Sequence, residues 1–340
     1  MAREKISFAT CNLYNLNERG IRMYGDADGW TQAEHARKIL WTGQILKIMR
    51  SDVYGFQELW HADSLVACLR EAGLADDYTP LVPSGHAGQK IVCAGAVRSD
   101  LLVGEPEWID EFPSIFRLTS RGDDPQTSEI SVSINRFSRP VLHFEIKPRS
   151  DRENVHVYVC HFKSKAPTQI FREAWYDRDI YSKHSEAIGS AISTVRRTAE
   201  ATALRTILTQ QMKGTNTPVV VLGDTNDGKD SNTLNILTGQ PNYLLSGLST
   251  GGSDVDLYTT QTLQEYRSTR DVYYTHIHQN NRESLDHILV SQEFYDNSRK
   301  RIWAFDGMEV SNDHLNHDDH KESGTTDHGV VRASFKYQPA

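Results

Sequence analysis

The chain has 340 residues, 38% of them hydrophobic, enough to bury a large core without help from disulfides. A net charge of −8 excludes a broad basic surface that grips nucleic acid non-specifically. The four cysteines, Cys11, Cys68, Cys93 and Cys160, form no CxxC pair, so buried free thiols are expected and nothing requires an oxidising compartment. The opening segment, MAREKISFATCNLYNLN, passes directly into a strand pattern with no long apolar core. No signal peptide or membrane span is therefore expected, and a cytoplasmic protein without stable membrane association follows.

In chain order, Ile6–Ala9 reads as a strand delivering Asn12. Thr31-Gln-Ala-Glu34 is a capping box, and Ala36, Leu40, Gly43, Leu46 and Met49 recur behind it at helical spacing up to Arg50. Val53–Phe56 is a short apolar strand ending in Gln57-Glu58. A Glu at the end of a buried strand needs a partner or a cation, because a bare buried carboxylate is costly. Ala62–Ala72 reads as a second helix, and Ile91–Arg98 and Leu101–Ile109 as strands. Ile130–Ile134 and Val141–Ile146 flank Phe137-Ser-Arg139-Pro140 like a hairpin, which would put Arg139 at its turn with a planar fork suited to phosphate.

Val155–Cys160 alternates and runs into His161-Phe-Lys163-Ser-Lys165, donors and cations suited to developing negative charge. Pro167–Gly189 is irregular and polar, and Ser193–Met212 is a helix carrying Arg196, Arg197 and Arg205. Thr217–Asp227 is the most informative stretch. Four apolar residues, Val219–Leu222, enter Gly223 and then Asp224, Asn226 and Asp227, a buried strand whose end aims a carboxylate and an amide at one point. Gly228–Tyr266 has no assignable pattern. Asp286 starts a strand, DHILV; Ile302–Val310 is another; and Asp327-His328-Gly329 precedes a last strand, Val330–Lys336. The intervening SNDHLNHDDHKESGTT offers His314, His317 and His320 as a possible metal set, but without cysteine or helical pattern it reads as a solvated loop. Several strands alternating with at least three helices, with no linker or repeat, predict one domain over 1–340. The expected class is a layered α/β sandwich whose polar strand ends gather along one edge.

The ordered set Asn12, Gln57-Glu58, Arg139, His161, Gly-Asp224-x-Asn226, Leu-Asp286-His287 and Thr-Asp327-His328-Gly329 resembles the endonuclease/exonuclease/phosphatase superfamily, the DNase I-like fold, from Phe8 to Phe335. The resemblance implies a four-layer α/β sandwich of two packed, mainly antiparallel sheets flanked by helices, and a divalent cation, usually Mg²⁺, with Mn²⁺ as a substitute. By position, Asn12, Glu58 and Asp327 look like metal-site residues. His328 looks like the general base and Asp286 like the carboxylate that orients it. Asp224 and Asn226 look like the pair that positions water or leaving group and the phosphate, and His161 matches the position that stabilises a non-bridging oxygen or assists the leaving group. Thr326 stands where the family usually has Ser, and Asn312-Asp313-His314 is a competing terminal motif, set aside because no strand follows it.

The resemblance further implies a metal-dependent phosphodiesterase acting on nucleic acid, first of all a DNase I-like DNA endonuclease, with Arg139, Lys163 and Arg197 meeting phosphates. The alternatives are a sphingomyelinase-like lipid phosphodiesterase, for which Trp108–Phe116 is the nearest candidate membrane hairpin, and a small-molecule phosphatase.

Overall fold

The computed structural model describes residues 2–24, 28–122, 126–243, 251–268, 270 and 273–340. β1 (Lys5–Leu16) leads through α1 (Gln32–Met49) to β2 (Val53–His61), then α2 (Ala62–Glu71), β3 (Tyr78–Leu81) and β4 (Ala87–Arg98). β5 (Leu102–Glu111) is followed by a small ribbon of β6 (Thr119–Ser120) and β7 (Ile130–Ser131), then β8 (Arg136–Ile146) and β9 (Val155–His161). The short α3 (Arg178–Tyr181) and the long α4 (Ser185–Met212) carry the chain to β10 (Val219–Asp224). Next come α5 (Asn232–Thr238), β11 (Tyr258–Thr259), α6 (Thr260–Arg267), a second ribbon of β12 (His276–His278) and β13 (Asn281–Glu283), and β14 (Asp286–Val290). β15 (Trp303–Ser311), α7 (His320–Ser323) and β16 (Val330–Tyr337) complete the order.

One sheet runs β15-β16-β1-β2-β4-β3 and the other β11-β14-β10-β9-β8-β5. Each sheet contains one parallel pair near its middle, β1 with β2 and β9 with β10, among antiparallel neighbours. A parallel pair needs a long crossover, and α1 and α4 supply it. Thr31 and Glu34 close the capping box of α1 in both directions, at 3.3 and 2.8 Å.

The central strands are apolar on both faces because both faces are covered. Ile6 and Phe8 of β1, Val157 and Val159 of β9, Val220 and Leu222 of β10, and Phe335 of β16 meet between the sheets. There Phe8, Phe294 and Phe335 pack edge to face with centroids 4.9–6.1 Å apart. The alternate residues point outward. Ala9, Cys11 and Phe56 lie with Leu46 and Leu69 of the first helical layer. Tyr158, Cys160, Val219 and Val221 lie with Ala199, Ala203, Leu204 and Leu208 of α4. The result is a mixed α/β sandwich of two large sheets flanked by helices. All four cysteines are buried free thiols. Among the described residues, no helix is long and apolar enough to cross a membrane.

Three local expectations change. Phe137–Pro140 is no turn: it lies inside β8, which pairs with β5 and β9, while Ile130–Ser131 pairs with Thr119–Ser120. Pro140 therefore sits within a strand, and of the expected strand Ile130–Ile134 only Ile130–Ser131 is paired, in the small ribbon with β6. The helix expected from Ser193 starts at Ser185, so Pro167–Gly189 is part helix, and Ser193 is buried within it. Trp108–Phe116 is not a protruding hairpin. Trp108 Nε1 donates to the Cys93 carbonyl at 2.9 Å, and Phe112 packs on Phe116 and Phe137, leaving Ile115 exposed. Residues 244–250 of the unassigned Gly228–Tyr266 stretch lie outside the described residues.

Two glycines set close approaches. A Cβ on Gly55 of β2 would lie 2.9 Å from the Leu222 side chain and 3.1 Å from Val159, across the gap between the sheets. A Cβ on Gly223 would lie 2.2 Å from the Cys160 carbonyl oxygen, between β9 and β10. Gly223→Ala is expected to destabilise the fold by about 1–3 kcal/mol through overpacking. A urea melt reads this directly, and an unchanged midpoint would show that β9 and β10 separate at no cost.

Candidate active site

The polar strand ends converge because of topology. β1, β2, β9 and β10 are the two parallel pairs, so their C-terminal ends lie on the same edge of each sheet. Asn12 and Glu58 sit where the first pair shifts register, between Asn12–Gln57 and Leu16–Leu59, and His161 and Asp224 end the second, where they are register partners. β14 runs antiparallel to β10 and opens at that edge, which sets Asp286 opposite Asp224. β16 runs antiparallel to β1, so Asp327 and His328, just before it, arrive there too. The edge forms a cavity of about 770 Å³ whose walls include Glu58, Arg139, His161, Asp224, Asn226 and Asp327-His328.

Bonds across the two sheets tie this edge together. Asn12 Nδ2 donates to Asp224 Oδ2 at 3.2 Å, and His328 Nδ1 lies 2.8 Å from Asp286 Oδ2. Thr326 Oγ1 donates to the Asn12 carbonyl and accepts from the His328 N–H, which holds the turn that presents His328. Asp286 is placed by its own N–H donating to Thr275 Oγ1, and its Oδ1 has no partner among the described residues. Asp313-His314 takes no part in this pair: His314 Nε2 instead sits 2.8 Å from the His328 carbonyl. His314, His317 and His320 do not converge as a metal cluster among the described residues.

Electrostatics separates the titratable groups. Burial pushes His328 down, but Asp286 and Asp224 outweigh it and hold His328 well above the usual histidine value. Burial raises Asp224 to about 7, against the pull of His328. Burial, Arg139 and His328 keep His161 well below its usual value, so its imidazole is neutral. His161 Nε2 lies 3.5 Å from Asp224 Oδ2, and its Nδ1 is buried without a hydrogen-bond partner among the described residues. Asn226 and Glu58 both sit in the left-handed region, at φ 54° and 60°. Asn226 is fixed by its N–H to Asp224 Oδ1 at 2.8 Å and by Nδ2 to the Phe162 carbonyl at 3.1 Å.

Glu58 and Asp327 supply hard oxygen donors on one wall. Glu58 is pushed up by burial and then by the charge of Asp327, with the Asn15 N–H donating to its Oε2 at 3.0 Å. Two carboxylates on one wall, one of them raised by burial and by the other's charge, fit a hard divalent cation, so the residues present suit the implied group. Asn12 lies between them and Asp224 with its Oδ1 engaged by the Tyr14 N–H.

The expected phosphate contacts divide. Arg139 lines the cavity, delivered by β8 beside β9, with Nη1 donating to the Phe162 carbonyl at 3.3 Å. Arg197 does not reach substrate: it is 4% exposed and donates to Asp227 Oδ2 and the Lys163 carbonyl inside the protein. Its buried charge is paired with the half-buried carboxylate of Asp227. Lys163 turns its ammonium to Ser164 and the Ala166 carbonyl, and its N–H is held by Glu200. Lys165 takes the wall position instead, paired with Glu283 Oε1 at 2.6 Å. Sequence reasoning missed the β12–β13 ribbon, whose His276, His278 and Glu283 line the cavity. The HIH alternation at 276–278 was the available signal, in a stretch with no strong apolar pattern. It missed Tyr24 as well, which lines the opposite rim.

A family model described as "Endonuclease/Exonuclease/phosphatase family" matches residues 9–328. Among curated proteins none matches the chain. Among solved structures, the human Nocturnin catalytic domain with bound sulfate anion superposes with a TM-score of 0.55 at 14% identity, covering 99% of this chain and 96% of that one. TDP2 from D. rerio, complexed with single strand DNA product, gives 0.56 at 14% identity, covering 98% and 100%. A mannosyl-6-phosphatase from Bacteroides thetaiotaomicron VPI-5482 gives 0.51 at 14%, covering 98% and 100%. At these identities the likeness is one of fold.

Behind the carboxylates lies Lys38 of α1, fully buried, its ammonium donating to the Thr325 carbonyl at 2.7 Å. The rings of Tyr14, Trp30 and Trp41 surround it at 5.5–5.9 Å. Burial lowers its pKa from 10.5 to about 8, against the pull of nearby groups that include Asp327 and Glu58. The folded state therefore disfavours the ammonium. That cost is complete below about pH 8 and fades as pH rises toward 10.5, where the unfolded lysine also loses its proton. In EDTA, the stability of the natural chain relative to Lys38→Met is expected to rise by about 3 kcal/mol between pH 7 and pH 10. Paired urea melts check this, and a difference that stays flat with pH would contradict it.

Proposed function

The chain belongs to the endonuclease/exonuclease/phosphatase family, and on that membership we propose that it is a phosphodiesterase hydrolysing nucleic-acid phosphodiester bonds, DNA foremost. Members of this family are metal-dependent phosphoester hydrolases, which fits the acid-lined cavity. The observation that carries the reading is the Asp286–His328 couple at 2.8 Å, facing Asp224 on one side of a cavity whose other walls hold Glu58, Asp327, Arg139 and His161. That set answers each need of phosphodiester hydrolysis: a base for water, charge stabilisation on the phosphoryl oxygens, and orientation of the reacting groups.

Glu58, Asp327 and Asn12 would hold the divalent cation, Mg²⁺ with Mn²⁺ as a substitute. When bound, it would supply charge stabilisation to the phosphoryl oxygens, and its positive charge would lower the proton affinity of His328. His328 Nε2 accepts the proton of the attacking water, while Asp286 fixes the tautomer by taking the Nδ1 hydrogen. Asp224 orients the water and the His328 ring. Asn226, held by its N–H to Asp224 Oδ1, and His161 are assigned the stabilisation of a non-bridging phosphoryl oxygen. Arg139 and Lys165 receive the flanking phosphates. A localised cationic wall in a chain of net charge −8 favours a polyanion read at one groove rather than over a whole face. The TDP2 structure with its single strand DNA product is a precedent in the same fold.

The likeness to a mannosyl-6-phosphatase makes a phosphomonoester the competing substrate class. One panel decides: plasmid DNA, single-stranded DNA, RNA, a sugar phosphate and sphingomyelin, each with Mg²⁺, Mn²⁺ or EDTA. Cleavage of DNA that EDTA abolishes is expected, and turnover of sugar phosphate or lipid alone would overturn the nucleic-acid reading. His328→Ala should lower kcat by roughly 10²–10⁴-fold at unchanged fold. A folded and fully active His328→Ala would remove the base assignment. Arg139→Ala should raise KM for DNA and flatten its salt dependence while leaving kcat within a few-fold.

A further inference from the structure

We infer a second kind of metal site in this cavity, one that takes a zinc-class ion on His276, Asp327 and His328 and shuts the site down. The nitrogens and carboxylate oxygen of these three residues lie within 4.8 Å of one another. Their approach is built by backbone pairing, not by chance contact of long side chains. His276 and His328 form an antiparallel bridge, and the Gly329 N–H donates to the Thr275 carbonyl at 2.7 Å beside it. Residues opposite each other in such a bridge present their side chains on the same face. The two imidazole rings accordingly sit 5.0 Å apart, centroid to centroid. His328 Nδ1 is committed to Asp286, so the nitrogen it offers is Nε2. His278, two residues along β12, lines the same cavity and sits 6.3 Å from the His276 ring, within reach as a further donor.

The donor chemistry separates this site from the Glu58–Asp327 pair. Two imidazoles and one carboxylate suit zinc and its neighbours, with three protein ligands and an open fourth position. Mg²⁺ prefers oxygen and gains little from imidazole. The two sites share Asp327, so the ions compete. Resting on the proposed role of His328 as base, an ion on Nε2 removes the lone pair that would accept the proton of water. Zinc therefore inhibits hydrolysis, and Mg²⁺ relieves the inhibition.

The test has a binding arm and an activity arm. Zinc chloride is titrated by calorimetry into the EDTA-stripped, dialysed full-length protein and into His276→Ala, with His317→Ala from the exposed polar insert as the control for stray binding. One zinc per chain is expected in the natural protein and in His317→Ala. A loss of at least tenfold in affinity is expected in His276→Ala, and a weaker zinc response as Mg²⁺ is raised. Equal zinc affinity with and without His276 overturns the site. In the activity arm, each variant's zinc inhibition is read against its own zinc-free rate. A matching tenfold shift in the inhibitory concentration for His276→Ala supports the proposal. Zinc that binds through His276 yet leaves hydrolysis untouched overturns the inhibitory step and the base assignment beneath it, while the ion site itself stands. If no substrate is turned over at all, the binding arm alone still decides the site.

Discussion

Four carboxylates brought to one edge of the sandwich are the constraint on which the rest depends. Glu58, Asp224, Asp286 and Asp327 are held close, and burial penalises the charges of Glu58 and Asp224. The surrounding polar groups answer that cost one by one. Asn12 bonds Asp224, His328 bonds Asp286, Arg139 faces the cavity, and Lys38 lies behind with its ammonium ringed by aromatics. The clustering of acids gives the site its attraction for a cation and gives His328 its raised proton affinity. The same repulsion that weakens the fold locally is the electrostatic source of the chemistry.

The topology explains why so distant residues can share this edge. Each sheet has one parallel pair, and each parallel pair delivers two polar residues from its C-terminal ends. The antiparallel neighbours, β14 and β16, begin where those pairs finish and add Asp286 and His328. Nothing in this arrangement needs long loops to reach inward, which leaves the β12–β13 ribbon and the segment after β9 free to shape the rim.

Much of this was legible in the residues. The unbroken apolar run at Val219–Leu222 needs two covered faces, and it has them. The capping box at Thr31 starts α1 where it should. Strand-end polar residues at Asn12, Glu58, His161 and Asp224 do meet, because parallel strands put like ends together. What failed did so for physical reasons. Arg139 was placed at a turn because Pro140 looks like a breaker, yet a proline is accommodated in β8. Arg197 was read as a phosphate ligand from the resemblance and its place on a basic helix, but the residues in order do not show that the half-buried Asp227 pairs with it. Lys38 was invisible because a lysine at helical spacing reads as surface, and only the packing of Tyr14, Trp30 and Trp41 makes it interior. His276 was missed because three alternating residues carry too little apolar signal to mark a ribbon.

The missing side chain at Gly55 has a wider meaning. The two layers approach closely where Gly55 of β2 faces Leu222 and Val159, two or three residues before Glu58, Asp224 and His161 at the edge where Asp286 from one layer meets His328 from the other. Gly55 thus acts as a ruler for the molecule: it sets the spacing between the layers on which the Asp286–His328 distance depends. A lineage that enlarged this position would wedge the layers apart at their base, and drift in catalytic alignment would follow from a residue that never touches a ligand.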